Sequence, residues 1–258
     1  MLKKYLRKFE PLRFQLEGFL VKYNILKGGD DYTAFIIVAR SRTGSTLLEK
    51  LLNNHPNIQC EGELLNNLSG RKPEKIINSF FSKKNKQTYA AGYKVFYYHP
   101  NDGSSEEIWN IHLNKKNLKI IHLKRENILR TVLSKKIADK TKQWSIKNSS
   151  KRISIEDKRI TLSIPESIEE FEKTRNWENE FDRKFINHEM LEVNYEELTS
   201  DPKSQLYKIF SFLNVDPKYD LNVPLKKQNS EPLSKILINY PQVKADLEKT
   251  KWKEFLCE

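Results

Sequence analysis

The chain has 258 residues, with 46 Lys and Arg against 34 Asp and Glu, for a net charge of +12. Thirteen Phe, eleven Tyr and four Trp supply the apolar bulk of a core. With ten Pro and eight Gly, that composition excludes a fibrous, low-complexity or acidic solvating chain. Lys supplies 35 of the basic residues and Arg only 11. Lys is a hydrated point charge, whereas Arg is the planar fork that grips phosphate in two places. The charge therefore suggests solubility or general attraction to anions, with nucleic-acid binding as an alternative. Two cysteines, Cys60 and Cys257, are too few for a disulfide framework and suit a reducing compartment. Cys60 reads as a small buried apolar residue. The N-terminus has charges but no unbroken apolar core of a secretory signal. The apolar run Thr33–Ala39 is far short of a membrane span. These features predict a cytoplasmic protein with no transmembrane segment.

In chain order, residues 1–30 read as a basic helical lead-in that ends at Gly28-Gly29-Asp30-Asp31. AFIIVA, residues 34–39, reads as a buried strand. Leu47, Leu48, Leu51 and Leu52 then form one apolar helix face, stopped at Asn53-Asn54-His55-Pro56. Further strands are predicted at Asn57–Cys60, Tyr93–Tyr97, Leu118–Leu123 and Met190–Asn194. Helical spacing recurs over Asn127–Ala138, over 163–187 and after Asp201-Pro202. Strands alternating with helices predict an α/β fold with a mostly parallel sheet covered on both faces. Residues 139–160, lysine-rich with one Trp, read as an exposed insertion or a lid. No linker or repeat divides the chain, so a single domain over 1–258 is expected.

The most informative stretch is VARSRTGSTLLEKLL, residues 38–52. A buried strand runs straight into a loop and then a helix. That order aims backbone N–H groups and the positive helix end at one point, which suits an anion. The loop holds Arg40 and Arg42, the hydroxyls of Thr43, Ser45 and Thr46, and Gly44 for close backbone approach. Its spacing matches G-x-x-x-x-G-K-[ST], but Ala39 replaces the first Gly and Ser45 stands where the phosphate Lys belongs. The loop therefore suits a phosphate-like group without the usual ATP–magnesium arrangement. The bland alternative is an ordinary strand–turn–helix with surface arginines.

RTGSTLL, residues 42–48, resembles the 5′-phosphosulfate loop of sulfotransferases that use 3′-phosphoadenosine 5′-phosphosulfate (PAPS). HPNI (55–58), CEGELLN (60–66), GYKVFYYHP (92–100), IIHLKRENILRTVLSKKIA (120–138), VNYEELTSDPKSQLYKIFSFLNV (193–215) and KQNSEPLSKILINYPQV (227–243) resemble later family segments in the same order. The resemblance spans residues 34–256 and points to the bacterial carbohydrate group, which acts on lipopolysaccharide, trehalose or nodulation-factor sugars. It implies a three-layer, P-loop-nucleotide-hydrolase-like fold and transfer of a sulfuryl group from PAPS to a carbohydrate or glycolipid hydroxyl.

By this resemblance Arg42 contacts the 5′-phosphosulfate and assists the leaving oxygen, and Thr43, Gly44, Ser45 and Thr46 hold the phosphate. Arg40 is either a second anion contact or a solvent-facing charge. Arg125 and Ser134 fall in the 3′-phosphate segment, nine residues apart, one more than the family pattern; Arg130 is the substitute. Glu63 lies where the sugar-sulfating relatives carry a carboxylate and is favoured as general base over Glu61. Lys94, a charge inside a strand pattern, either points into a cleft at the transferring group or lies on the outer face of an edge strand. His55 reads as structural, and His122 as a satisfied core histidine; His99, His112 and His188 have no assigned role. Lys227 could reach the nucleotide from a C-terminal loop. No metal is expected, since neither the two cysteines nor the histidines have ligand spacing.

Two other classes remain in view. A kinase with a variant phosphate loop needs a loop Lys and a magnesium-holding Asp after a strand; the sequence offers neither. A nucleic-acid binder would rest on clusters such as Lys83-Lys84-Asn85-Lys86 and residues 135–152, which also suit solvated faces. The acceptor's identity and the oligomeric state, including a possible homo-oligomer, are not legible.

Overall fold

The structure, a computed structural model, describes residues 16, 18–21, 23, 27–144, 153–217 and 231–257. Most of the predicted lead-in, part of the 139–160 segment and Lys227 lie outside them. The chain divides into two units. One comprises Met1–Arg40, Gly44–Lys124 and Arg183–Val223; the other Ser41–Thr43, Arg125–Asp182 and Pro224–Glu258.

The first unit is organised by a parallel sheet. Its strands are β2 (Thr33–Ala39), β3 (Ile58–Glu61), β5 (Ala90–Phe96), β6 (Lys119–Lys124) and β7 (Met190–Asn194), in the order β3-β5-β2-β6-β7. A short antiparallel pair, β1 (Gly28–Gly29) with β4 (Lys84–Asn85), stands apart from it. Helices α1 (Ser45–Asn53), α2 (Pro73–Phe80), α3 (Ser105–Leu113), α7 (Tyr195–Ser200) and α8 (Pro202–Phe212) complete the unit. β2 and β6 are buried almost throughout, as the apolar residues of AFIIVA and IIHL require of strands covered on both faces.

The two faces can be read along β5, where side chains alternate with period two. Tyr93 points to one face, where its hydroxyl meets His112 Nε2 of α3 at 2.6 Å. Lys94 points to the other, where its ammonium meets Thr46 of α1 at 2.9 Å. Helix, sheet and helix thus form three layers, as the sequence predicts. The strand begins three residues before the predicted Tyr93. Ala90, Ala91 and Gly92 have weak strand preference, but pairing with both β2 and β3 overrides it. A side chain on Gly92 would stand 2.3 Å from the Phe35 carbonyl oxygen, so only glycine lets β5 and β2 meet there.

The strand order places a switch point at β2. Its following connection runs to β3 on one side, while that of β5 crosses to β6 on the other. In open α/β sheets ligands bind outside the carboxyl ends of such strands. Those of β2 and β5 lead into Arg40 and the Tyr97–His99 stretch respectively.

The second unit is helical. It contains α4 (Ile128–Thr141), α5 (Ile155–Lys158), most of α6 (Ile164–Lys184), α9 (Leu233–Ile236), α10 (Tyr240–Leu247) and a 3-10 turn (Lys253–Leu256). Leu129, Leu133, Phe171, Leu233, Val243 and Phe255 belong to one buried cluster. Asn127 caps α4 by accepting from the Arg130 N–H at 3.1 Å. Of the predicted exposed insertion, residues 139–141 extend α4, residues 155–158 form α5, and Trp144 is exposed.

Candidate active site

In the first unit β2 delivers a buried Arg40, which excludes the solvent-facing alternative for this side chain. Gly44 caps α1 with φ 100° and ψ 10°. No side chain caps α1 and its first turn carries no acidic residue, so its positive end is open to an external anion. Ser45 is buried and Thr46 exposed at that end. A Cβ on Gly44 would stand 2.4 Å from Cδ2 of Tyr195. Both the left-handed backbone and this ring therefore demand glycine. We expect Gly44→Ala to destabilise the protein by roughly 1–3 kcal/mol, measured by chemical unfolding; stability equal to the wild type would contradict this account.

Lys94 is buried, at 5% exposure, in the interior strand β5. The edge-strand alternative therefore does not hold. Its Nζ donates to Thr46 Oγ1 at 2.9 Å and lies 2.9 Å from Glu49 Oε2 and 3.6 Å from Glu63 Oε1. Glu63 is the outermost of the three charges, with 35% of its side chain exposed. Its other oxygen lies 3.9 Å from His99 Nε2. The Phe96 N–H donates to His99 Nδ1 at 3.2 Å, which leaves the ring proton on Nε2, facing Glu63. Burial first, and then the nearby Lys94 charge, push the His99 pKa down to about 4, so this ring is neutral at physiological pH. Backbone and side-chain bonds stitch residues 66–69, downstream of Glu63, to residues 101–102, downstream of His99. Asp102 accepts from the Leu68 and Ser69 N–H groups at 2.7 and 2.8 Å, and Asn101 Nδ2 donates to Asn66 Oδ1 at 2.7 Å.

Glu61 ends β3, and its charge, like those of Glu49 and Lys94, acts on the Cys60 thiol. Its Oε1 accepts from Gln59 Nε2 at 3.4 Å, and its charge acts on Lys84. Glu49 and the His99 contact were missed in the sequence. Glu49 follows Ser45 by one helical turn, but beside Lys50 it reads as a solvated helix face.

In the second unit Arg42 is left-handed, with φ 68°, a conformation that costs a non-glycine residue about 1 kcal/mol. Such strain is concentrated at functional loops. Its Nε donates to Ser134 Oγ at 2.9 Å and its Nη1 to the Trp144 carbonyl oxygen. Arg125 Nη1 donates to the Arg42 carbonyl oxygen at 3.3 Å. Arg42, Arg125 and the buried Ser134 therefore form one group, despite the nine-residue spacing on α4. Arg130 turns elsewhere, its Nη1 donating to the Glu231 carbonyl oxygen at 2.8 Å. Thr43 is buried. His55 and His122 are buried and bonded within the fold, to the Asp216 carbonyl oxygen and to the Tyr97 hydroxyl. Among the described residues no group of His, Cys, Asp or Glu could hold a metal ion, and no helix is long and apolar enough to cross a membrane.

A parallel α/β sheet whose first buried strand feeds an arginine-, hydroxyl- and glycine-bearing loop into an uncapped helix defines a phosphate-loop-type protein. Residues 32–237 match the family described as "Sulfotransferase domain", and the chain belongs to that family. Its activity class is therefore sulfotransfer. Nodulation protein H of Rhizobium tropici is 27% identical over 227 residues, covering 81% of this chain and 87% of that protein. Nodulation protein H of Rhizobium meliloti (strain 1021) is 25% identical over 230 residues, covering 81% and 89%. A sulfotransferase crystal structure from Alicyclobacillus acidocaldarius superposes with TM-score 0.49 at 17% identity, covering 86% of this chain and 94% of that one.

Proposed function

We propose that this sulfotransferase moves the sulfuryl group of PAPS to a hydroxyl of a carbohydrate or glycolipid. The observation that carries the reading is a carboxylate and a buried ammonium 3.6 Å apart, Glu63 and Lys94, in the same unit as the open end of α1. Sulfuryl transfer asks for positioning and charge stabilisation. The acceptor oxygen attacks sulfur in line and its proton goes to Glu63. The new O–S bond forms as the bond from sulfur to the bridging oxygen breaks, and 3′-phosphoadenosine 5′-phosphate leaves. Lys94 offsets negative charge at the transferring group. Gly44, Ser45 and Thr46 hold the 5′-phosphate at the start of α1, with Thr43 and Arg40 contributing from the loop. Arg125 and Ser134 take the 3′-phosphate. Arg42 assists the leaving oxygen, exchanging its bonds to Ser134 and Trp144 for one to the nucleotide. A cytoplasmic setting fits two cysteines that are both unpaired.

Calorimetry with 3′-phosphoadenosine 5′-phosphate is the first test. We expect saturable binding to one site without added metal; absence of binding would overturn the reading. A screen of sugar acceptors with sulfur-labelled PAPS then identifies the acceptor.

A further inference from the structure

We infer that Glu49 is a positioning residue for sulfuryl transfer: it takes up the charge of Lys94 and so leaves Glu63 available as the base. The inference rests on the reading of Glu63 given above. Lys94 is nearly inaccessible, and its three ammonium protons have three oxygen-bearing neighbours: Thr46, Glu49 and Glu63. The two carboxylates are not equivalent. Glu49 Oε2 is at 2.9 Å with 21% of its side chain exposed, while Glu63 Oε1 is at 3.6 Å with 35% exposed. A charge pair weakens with distance and with solvent access, so the closer and drier pair is Lys94–Glu49. The cluster then holds one cation and two anions, and the anion left over is Glu63.

The other groups that face this cluster do not change the balance. His99, from the loop after β5, is neutral with its pKa at about 4. Burial raises the Cys60 thiol of β3 well above its ordinary value, so it carries no charge. Glu61, also on β3, is bonded to Gln59. Without Glu49 the ammonium would turn wholly to Glu63. That ties up the oxygen that has to take the acceptor's proton.

The experiment compares Glu49→Gln with the wild type in PAPS-dependent transfer. We expect kcat to fall by about ten- to a hundredfold. Binding of 3′-phosphoadenosine 5′-phosphate stays at the wild-type value. In a Lys94→Met background, Glu49→Gln causes no further loss. Wild-type kcat, or an undiminished further loss in the Lys94→Met background, overturns the inference; the second outcome would mean that Glu49 acts without Lys94. Glu49→Asp is the second variant. It keeps the charge but shortens the reach, so kcat falls by less than in Glu49→Gln; an Asp variant with wild-type kcat overturns the inference whether or not the Gln variant folds. If Glu63→Gln is itself fully active, the base assignment fails; if Glu63→Gln is inactive and Glu49→Gln is normal, only the role of Glu49 fails.

Discussion

Glu63→Gln lowers kcat by about 10²- to 10⁴-fold, the usual contribution of a positioned general base. The substitution preserves shape and removes only the ability to accept a proton, so affinity for 3′-phosphoadenosine 5′-phosphate is retained. Glu63 is partly exposed, and stability changes little. The surroundings explain why this carboxylate, and not its neighbour, carries the effect. Glu63 lies beside Lys94 and faces the Nε2 side of a neutral His99. Glu61 instead lies beside Gln59, with its charge acting on Lys84. Glu61→Gln is therefore expected to keep most of the activity, and the ratio of the two variants decides between the carboxylates. A Glu63→Gln enzyme within about threefold of wild type, far inside the expected loss, would remove Glu63 from the chemistry.

Much of the sheet was legible because its strands are buried on both faces. AFIIVA is an unbroken apolar run and IIHL is interrupted only by His122, and the strands found there are β2 and β6. Met190–Asn194 coincides with β7. The start of β5 was not legible, because Ala90, Ala91 and Gly92 are strand residues only through their neighbours in the sheet. The strand order was hidden as well: β5 lies between β3 and β2 through pairings remote in the chain. Helices α2 and α3 were passed over because eight or nine residues give too few turns for a clear period.

Legibility of the candidate site follows the same rule. Arg40, Arg42 and Gly44 stand out because they are local to one strand–loop–helix stretch. Lys94 stands out because a charge inside an apolar strand needs a partner. Its nearest carboxylate could not be read, since Glu49 is 45 positions away on a helix where Glu is an ordinary surface residue. The arrangement of Arg42 was also hidden. Its bonds to Ser134 and Trp144 span 92 and 102 positions, and no local pattern encodes them.

Arg42→Ala is the second variant with a large expected effect. Removing one well-placed donor from a developing oxyanion costs about 10²- to 10³-fold in kcat, and a loss of that size is expected here. The fold should survive. Arg42 is only half-buried, and its bond to the Trp144 carbonyl oxygen is exposed. Alanine also tolerates the left-handed backbone no worse than arginine does. The kinetic pattern separates two uses of the side chain. If the guanidinium meets the leaving oxygen, kcat falls and binding of 3′-phosphoadenosine 5′-phosphate changes little. If it stays with Ser134 and serves the 3′-phosphate, nucleotide affinity falls in parallel with kcat/KM and saturating nucleotide restores kcat. The expected result is the first. Arg42→Lys, which keeps the charge but loses the fork, should recover part of the rate. A wild-type rate in Arg42→Ala would show that the loop arginine has no part in transfer and would leave Lys94 as the charge at the reacting centre.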